Sequence, residues 1–316
     1  QHLSGLAGRS PYYVALTIKR ISDGSERKVA LPAGAKINFP GRGIAGMWSA
    51  DGRHFFFMNT AQGGGEIWVG DTETGAIRQI KGVRVNAVTG VPAQWMPDNK
   101  TLLVEIVANH GAPPVQPTVP TGPNIQESSG KRDTTPTYED LLKSPYDEDL
   151  FDYYATSQLA FVDTTTGKAT PFGKPAIFDD VSPSPDGNYV LVSSIHRPYS
   201  YLHTLNNFPL TVAVLDRRKG DAYKVAELPL ADQIPPQGVR TGPRAFEWRP
   251  TEPATLVWVE ALDAGDPRKK VPFRDKIMMT KMPGGVDPVE LFKTEHRFRG
   301  INWGELGDTA FVNDYD

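Results

Sequence analysis

Cysteine is absent from the 316 residues. That excludes disulfides, thiolate metal sites and a cysteine nucleophile. It leaves the compartment open, because many exported proteins also do without disulfides. No apolar run approaches the roughly eighteen residues of a membrane span, and no charged segment followed by an apolar one marks a leader. The first residue is Gln1, so an N-terminus that has been processed or cut is expected. Charge of one sign is missing as well, since 34 Lys plus Arg stand against 37 Asp plus Glu for a net −3. Such a balance signals neither a nucleic-acid surface nor an acidic tail. The longest basic cluster, Arg268-Lys269-Lys270, follows a polar stretch and reads as a solvated loop.

Catalytic signatures are equally scarce. No Gly-x-Ser-x-Gly is present for a nucleophile elbow, and no HExxH, CxxC or strand-to-helix GxGxxG appears. Gly63-Gly64-Gly65 precedes neither a helix nor a Lys-Ser/Thr pair, so it reads as a hairpin loop and not a phosphate cradle. Asp147-Glu148-Asp149 lacks the Gly and terminal Glu of a calcium loop and reads as an acidic helix start. His196 and His203 lie an odd number of residues apart, which puts them on opposite faces of an extended segment. No catalytic residue, metal ligand or cofactor is therefore expected within this chain.

Glycine and proline, at 30 and 28 residues, are plentiful and suit many short strands joined by turns. One short element recurs. Trp48-Ser49-Ala50-Asp51-Gly52 returns as Trp95-Met96-Pro97-Asp98-Asn99, Pro183-Ser184-Pro185-Asp186-Gly187 and Trp248-Arg249-Pro250-Thr251-Glu252. A weaker copy is Trp303 to Asp308. The steps are 47, 88, 65 and 55 residues. Asp-Gly between apolar runs is a strong hairpin signal, with glycine supplying positive φ. The aromatic is expected to pack under the turn. After each copy comes a β-rich run: Phe55 to Met58, Thr101 to Val107, Tyr189 to Ser194, Thr255 to Val259 and Thr309 to Val312. A repeat of this length with four strands per unit means a propeller. The reading is an all-β chain, a β-propeller of four-stranded blades, incomplete at about five to six blades, over residues 1–316.

The 88-residue step marks an insertion of about 108–156. Its first part, to about Pro136, is rich in Pro, Thr, Gly and Ser and cannot bury enough apolar surface to order itself alone. Thr137 to Lys143 then starts like a capped helix, and Asp147 to Tyr154 reads as another helical turn or two. Tyr12 to Ile21 and Glu26 to Leu31 look like the outer half of one blade. The last blade opens at Arg299 and stops at Asp316 in mid-blade, so more chain is expected beyond it.

Five stretches read together resemble one family: PPVQPTVPTGPNIQESSGKR, TYEDLLKSPYDEDLFDYYATSQLAFVD, SPSPDGNYVLVSSIHRPYSYL, TGPRAFEWR and VEALDAGDPRKKVPFRDK. They are similar to the propeller region of glutamyl endopeptidase-like members of the prolyl oligopeptidase family. The resemblance implies a propeller of seven or eight blades followed by a C-terminal α/β-hydrolase domain. That domain would carry the Ser, Asp and His triad, none of which falls in this sequence. It also implies a serine peptidase acting on peptide or protein substrates, with the propeller gating access and no nucleic-acid or membrane partner. Cleavage after acidic residues would need a cationic subsite, and Arg suits carboxylates. Arg197 in HRPYSY is the first candidate, with Pro198 stiffening its loop and Tyr199 and Tyr201 as aromatic walls. Arg244 in TGPRAFEW is the second. A tie between loops is the alternative role for Arg197. The rival function is a stand-alone TolB-like propeller binding a protein partner; a lactonase-like enzyme would need a central metal. The resemblance implies periplasmic or secreted placement for a bacterial parent, and organellar placement for a plant one.

Overall fold

The structure, a computed structural model, describes residues 12–39, 46–60, 64–108, 111–118, 141–284 and 287–315. The chain divides into two compact units, Gln1–Gly111 with Asp152–Pro183, and Ala112–Phe151 with Ser184–Asp316.

In the first unit β1 (Thr17–Lys19) and β2 (Glu26–Lys28) form a short antiparallel hairpin. Both are shorter than the alternating pattern from Tyr12 predicts. Next come β3 (Ile37–Asn38), β4 (His54–Asn59), β5 (Gly65–Asp71) and β6 (Ile77–Val85), each antiparallel to the one before. A second set follows as β7 (Ala93–Trp95), β8 (Thr101–Val107), β9 (Ser157–Asp163) and β10 (Ala169–Pro183). In the second unit β11 (Tyr189–Ile195), β12 (Leu210–Asp216) and β13 (Ala222–Leu228) pair in order. A four-stranded set follows: β14 (Pro243–Trp248), β15 (Thr255–Ala261), β16 (Asp275–Lys281) and β17 (Val289–Thr294). The set β18 (Arg297–Trp303) and β19 (Ala310–Tyr315) closes the described chain. Repeated antiparallel four-stranded blades are the β-propeller architecture that the turn repeat predicts.

Burial is graded across each blade. The strands that follow the repeated turn, β4, β8, β11 and β15, are buried through their middles, with side chains on both faces covered. That is why they read as unbroken apolar runs and not as alternating ones. The outer strands β13 and β17 are mostly exposed or half-buried. One core joins Met58, Ile67, Leu102, Val104 and Val162; another joins Leu191, Val214, Trp248, Leu256 and Trp258.

All five turn copies share one backbone pattern. Ser49, Met96, Ser184 and Gly304 each donate their N–H to a carbonyl five residues on, and Arg249 to one six residues on; the carbonyls of all five accept from the N–H three residues on. In two copies the side chains repeat the same scheme. Ser49 Oγ meets Asp51 Oδ1 at 2.6 Å and takes the His54 N–H at 2.9 Å. Ser184 Oγ meets Asp186 Oδ1 at 2.6 Å and takes the Tyr189 N–H at 3.0 Å. Gly52 and Gly187 sit at φ of 68° and 69°, where a side chain is strained. Trp48 is exposed and not covered by its turn, and two of the other aromatics reach the preceding repeat. Trp95 donates its indole N–H to the carbonyl of Met47 one repeat earlier, at 2.9 Å, and Trp303 lies under Arg249 of the preceding copy at 4.6 Å.

The helix α1 (Pro145–Ala155) is the helical stretch expected at Asp147 to Tyr154, while the helix expected from Thr137 is not seen where the chain is described. Residues 137–140 lie outside the described residues, and 141–143 are not helical. Ser144 serves as the cap instead: its hydroxyl accepts the Asp147 N–H at 3.3 Å, and Asp147 reaches back to the Lys143 N–H at 2.8 Å. With Pro145 opening the helix, this is a capping box shifted by one residue, since Asp147 takes the N–H before the cap and not that of the cap itself. Most of the Pro-rich run, from residue 119 on, lies outside the described residues.

Candidate functional site

Two clusters of charged side chains in the second unit lie at strand ends. β11 runs out into His196-Arg197-Pro198-Tyr199, across an Arg197–Pro198 peptide that is cis. Arg197 donates from Nη1 to Glu148 Oε2 at 2.6 Å and from Nη2 to Asp149 Oδ1 at 2.7 Å. The guanidinium stands 5.5 Å from the centroid of the Tyr199 ring. Both carboxylates come from the first turns of α1, so the acidic helix start meets the arginine directly. Tyr199 is buried, stacked on Phe208 at 5.0 Å and taking the edge of Phe151 at 5.1 Å. Its ring thus supports the loop from beneath. Burial, and then the Glu148 carboxylate that accepts from its hydroxyl, push the Tyr201 phenol above its ordinary value. Among the neighbours, His196 lies 2.8 Å from Glu227 and 2.7 Å from the Arg197 carbonyl, while His203 is buried.

Arg244 belongs to a different cluster, which sequence inspection missed apart from Arg244 itself. Arg244 lies at the start of β14, beside a bulge that ends at Glu247 and includes Ala245 at φ 50°. Bulges re-aim side chains in this way. Its Nη2 donates to Asp275 Oδ2 at 2.6 Å. Arg297, at the start of β18, donates from Nη1 to Asp275 Oδ1 at 2.7 Å and from Nη2 to Asp263 Oδ2. Arg274 donates from Nη1 to the same Asp263 oxygen at 3.1 Å. Two backbone donors complete the set: Gly265 N–H to Asp263 Oδ1 at 2.9 Å and Phe298 N–H to Asp275 Oδ2 at 2.7 Å. Both aspartates are fully buried, and Arg297 is 5% exposed in its side chain.

Three guanidiniums here face two carboxylates, leaving one positive charge in excess. Arg244 Nη1 is buried and has no hydrogen-bond partner among the described residues. Buried polar groups are nearly always bonded, so such an atom calls for an explanation. Because Nη2 is already engaged by Asp275, the free nitrogen can take one further acceptor in a single charge-assisted bond. The signal that could have exposed this cluster is charge at strand ends: Asp263, Asp275 and Arg297 all flank apolar runs.

Among the described residues no three His, Cys, Asp or Glu side chains are grouped so as to hold a metal ion. No helix among them is long and apolar enough to cross a membrane.

No protein-family model matches the chain. Individual relatives do. The chain is 36% identical over 319 residues to a "Probable glutamyl endopeptidase, chloroplastic" of Oryza sativa subsp. japonica, covering 95% of this chain and 33% of that protein. It is 37% identical over 314 residues to the protein of the same name from Arabidopsis thaliana, covering 93% of this chain and 32% of that one. It thus spans about one third of the length of these relatives. Among solved structures, a prolyl endopeptidase superposes with a TM-score of 0.51 at 13% identity, over 90% of this chain and 34% of the other. An oligogalacturonate lyase in complex with manganese superposes with a TM-score of 0.52 at 12% identity, over 94% of this chain and 65% of the other. At such identities these two speak for the fold alone. Over nearly its whole length the chain is similar to proteins named probable glutamyl endopeptidase, and it is a β-propeller segment about one third as long as they are.

Proposed function

We propose that this propeller segment serves a serine peptidase whose Ser, Asp and His lie in an α/β-hydrolase domain outside the segment. In this reading it gates peptide access and supplies a contact for an acidic side chain of the substrate. The observation that carries the reading is the excess charge at Arg244: a buried guanidinium nitrogen without a partner, next to a cluster holding three cations against two anions. A substrate carboxylate satisfies that nitrogen and neutralises the cluster. Arg197 is the weaker of the two arginines for this role, because Glu148 and Asp149 already occupy its two terminal nitrogens. Its pairing fits the alternative of a tie between loop and helix.

The test is peptide cleavage by the parent peptidase carrying Arg244→Met. kcat/KM for a peptide with Glu at the cleavage point falls by about tenfold to a hundredfold, the value of one charge-assisted hydrogen bond. A matched Leu peptide, if cleaved, is unaffected. An unchanged ratio between the two peptides in a folded variant sinks the assignment. Arg197→Ala, tested in parallel, leaves the ratio intact and lowers thermal stability.

A further inference from the structure

The first unit holds a buried carboxyl that nothing above uses. Glu105 sits in the middle of β8, 1% exposed, and neither carboxyl oxygen has a hydrogen-bond partner among the described residues. Its backbone is fully engaged, with N–H to Pro92 O at 2.8 Å and O from Asn86 N at 2.9 Å, so only the side chain is unsatisfied. Thr89 Oγ1, also buried, is unpartnered too. Between them lies Gly90 at φ 60°. A Cβ there would stand 3.0 Å from Asp179 O, 3.2 Å from Glu105 Oε1 and 3.3 Å from Phe178 O. Two backbone carbonyls and a carboxylate oxygen therefore gather around one bare Cα. All of them are acceptors. Burial raises the Glu105 carboxyl well above its ordinary value, the Ser157 hydroxyl, a donor outside good bonding geometry, opposes this, and the negative Asp180 adds to it.

Two backbone carbonyls, a hydroxyl oxygen and a buried carboxyl together make the donor set of a hard, oxygen-seeking cation. An isolated carboxylate in such a place is otherwise very costly. The loop that carries Thr89 and Gly90 is already fixed. Asn86 donates to Tyr154 O at 2.9 Å and to Thr156 O at 3.2 Å, and its amide oxygen takes the Val88 N–H at 3.2 Å. We propose that Glu105, Thr89 and the carbonyls of Phe178 and Asp179 bind a hard cation of the calcium class, which ties β8 to the second half of β10. The site is independent of the arginine cluster and of any acidic preference of the parent peptidase.

The experiment uses the native chain, freed of metal with chelator, and calcium, magnesium, sodium and potassium chlorides at matched ionic strength. Equilibrium dialysis against calcium chloride finds one equivalent bound, and calcium raises the melting midpoint by several degrees. In Glu105→Gln, which keeps the shape and removes the charge, the bound equivalent and the shift are lost, and Thr89→Val weakens both. A midpoint that responds to sodium alone, with the same loss in Glu105→Gln, assigns a monovalent ion to the same oxygens. Two results overturn the proposal: no bound ion and no salt-specific shift in the native chain, or an equal shift in Glu105→Gln. Should Glu105→Gln fail to fold, dialysis of the native chain and of Thr89→Val decides.

Discussion

Asp275→Ala tests the buried arginine–aspartate cluster at its hub. Asp275 accepts three bonds, from Arg244 Nη2 at 2.6 Å, Arg297 Nη1 at 2.7 Å and Phe298 N at 2.7 Å. Removing it leaves three guanidiniums against the single carboxylate of Asp263, with Arg297 only 5% exposed in its side chain. Breaking one side of a buried pair costs about 3–5 kcal/mol, because the charge left behind is uncompensated. For a chain of this size that lowers the melting midpoint by on the order of 10 °C. Urea titration read by tryptophan fluorescence, and a thermal melt, measure both numbers. Asp275→Asn separates charge from hydrogen bonding: it retains an acceptor for the Phe298 N–H and falls between wild type and Asp275→Ala. Asp266→Ala is the control, since that carboxylate meets an exposed Arg268 and its loss leaves no buried charge. If Asp275→Ala loses no more stability than Asp266→Ala, the cluster does not hold the blade together, and the case for an excess charge at Arg244 fails with it.

Ser184→Ala removes the hydroxyl that takes the Tyr189 N–H at 3.0 Å and meets Asp186 at 2.6 Å. It costs about 1–2 kcal/mol by denaturant titration, and Ser49→Ala costs a similar amount, because the two turns share one scheme. Gly70→Ala drives a methyl onto the Phe55 ring, whose carbons lie 2.1 to 2.6 Å from the position a Cβ would take. Overpacking of this kind costs about 1–3 kcal/mol, read as a lower urea midpoint and a displaced aromatic resonance of Phe55. Asp266, held by hydrogen bonds from Arg268, is lowered from 3.8 to about 2. Its favourable contribution is complete above its ordinary value of 3.8 and disappears as pH falls through about 2. Carboxyl NMR titration finds the midpoint near the lower value, and Arg268→Ala returns it towards the upper.

The turns could be read in the sequence because they are local. Ser49, Asp51 and Gly52 carry acceptor, second acceptor and positive φ within four residues, and Ser184, Asp186 and Gly187 repeat them. The strands after the first four turns were legible for the related reason that each is an apolar run buried on both faces; β19, after the fifth, is exposed throughout. β10 was not. Its Pro171, Gly173 and Pro175 argue against a strand, yet the chain stays extended across a register shift between Phe172 and Ala176. The arginine cluster was illegible for a stronger reason. Arg244 meets Asp275 31 residues away, Arg297 meets Asp275 over 22 residues, and it meets Asp263 over 34. No spacing rule links such positions; only the return of successive strands to one end of the blade does. Arg197 shows the same limit, since its carboxylate partners lie 49 and 48 residues upstream in α1. In the string HRPYSY its charge looks available to a ligand. The fold pairs that charge with the helix, so the arginine more prominent in the sequence is the one already engaged at both terminal nitrogens, while Arg244 keeps one unpartnered among the described residues.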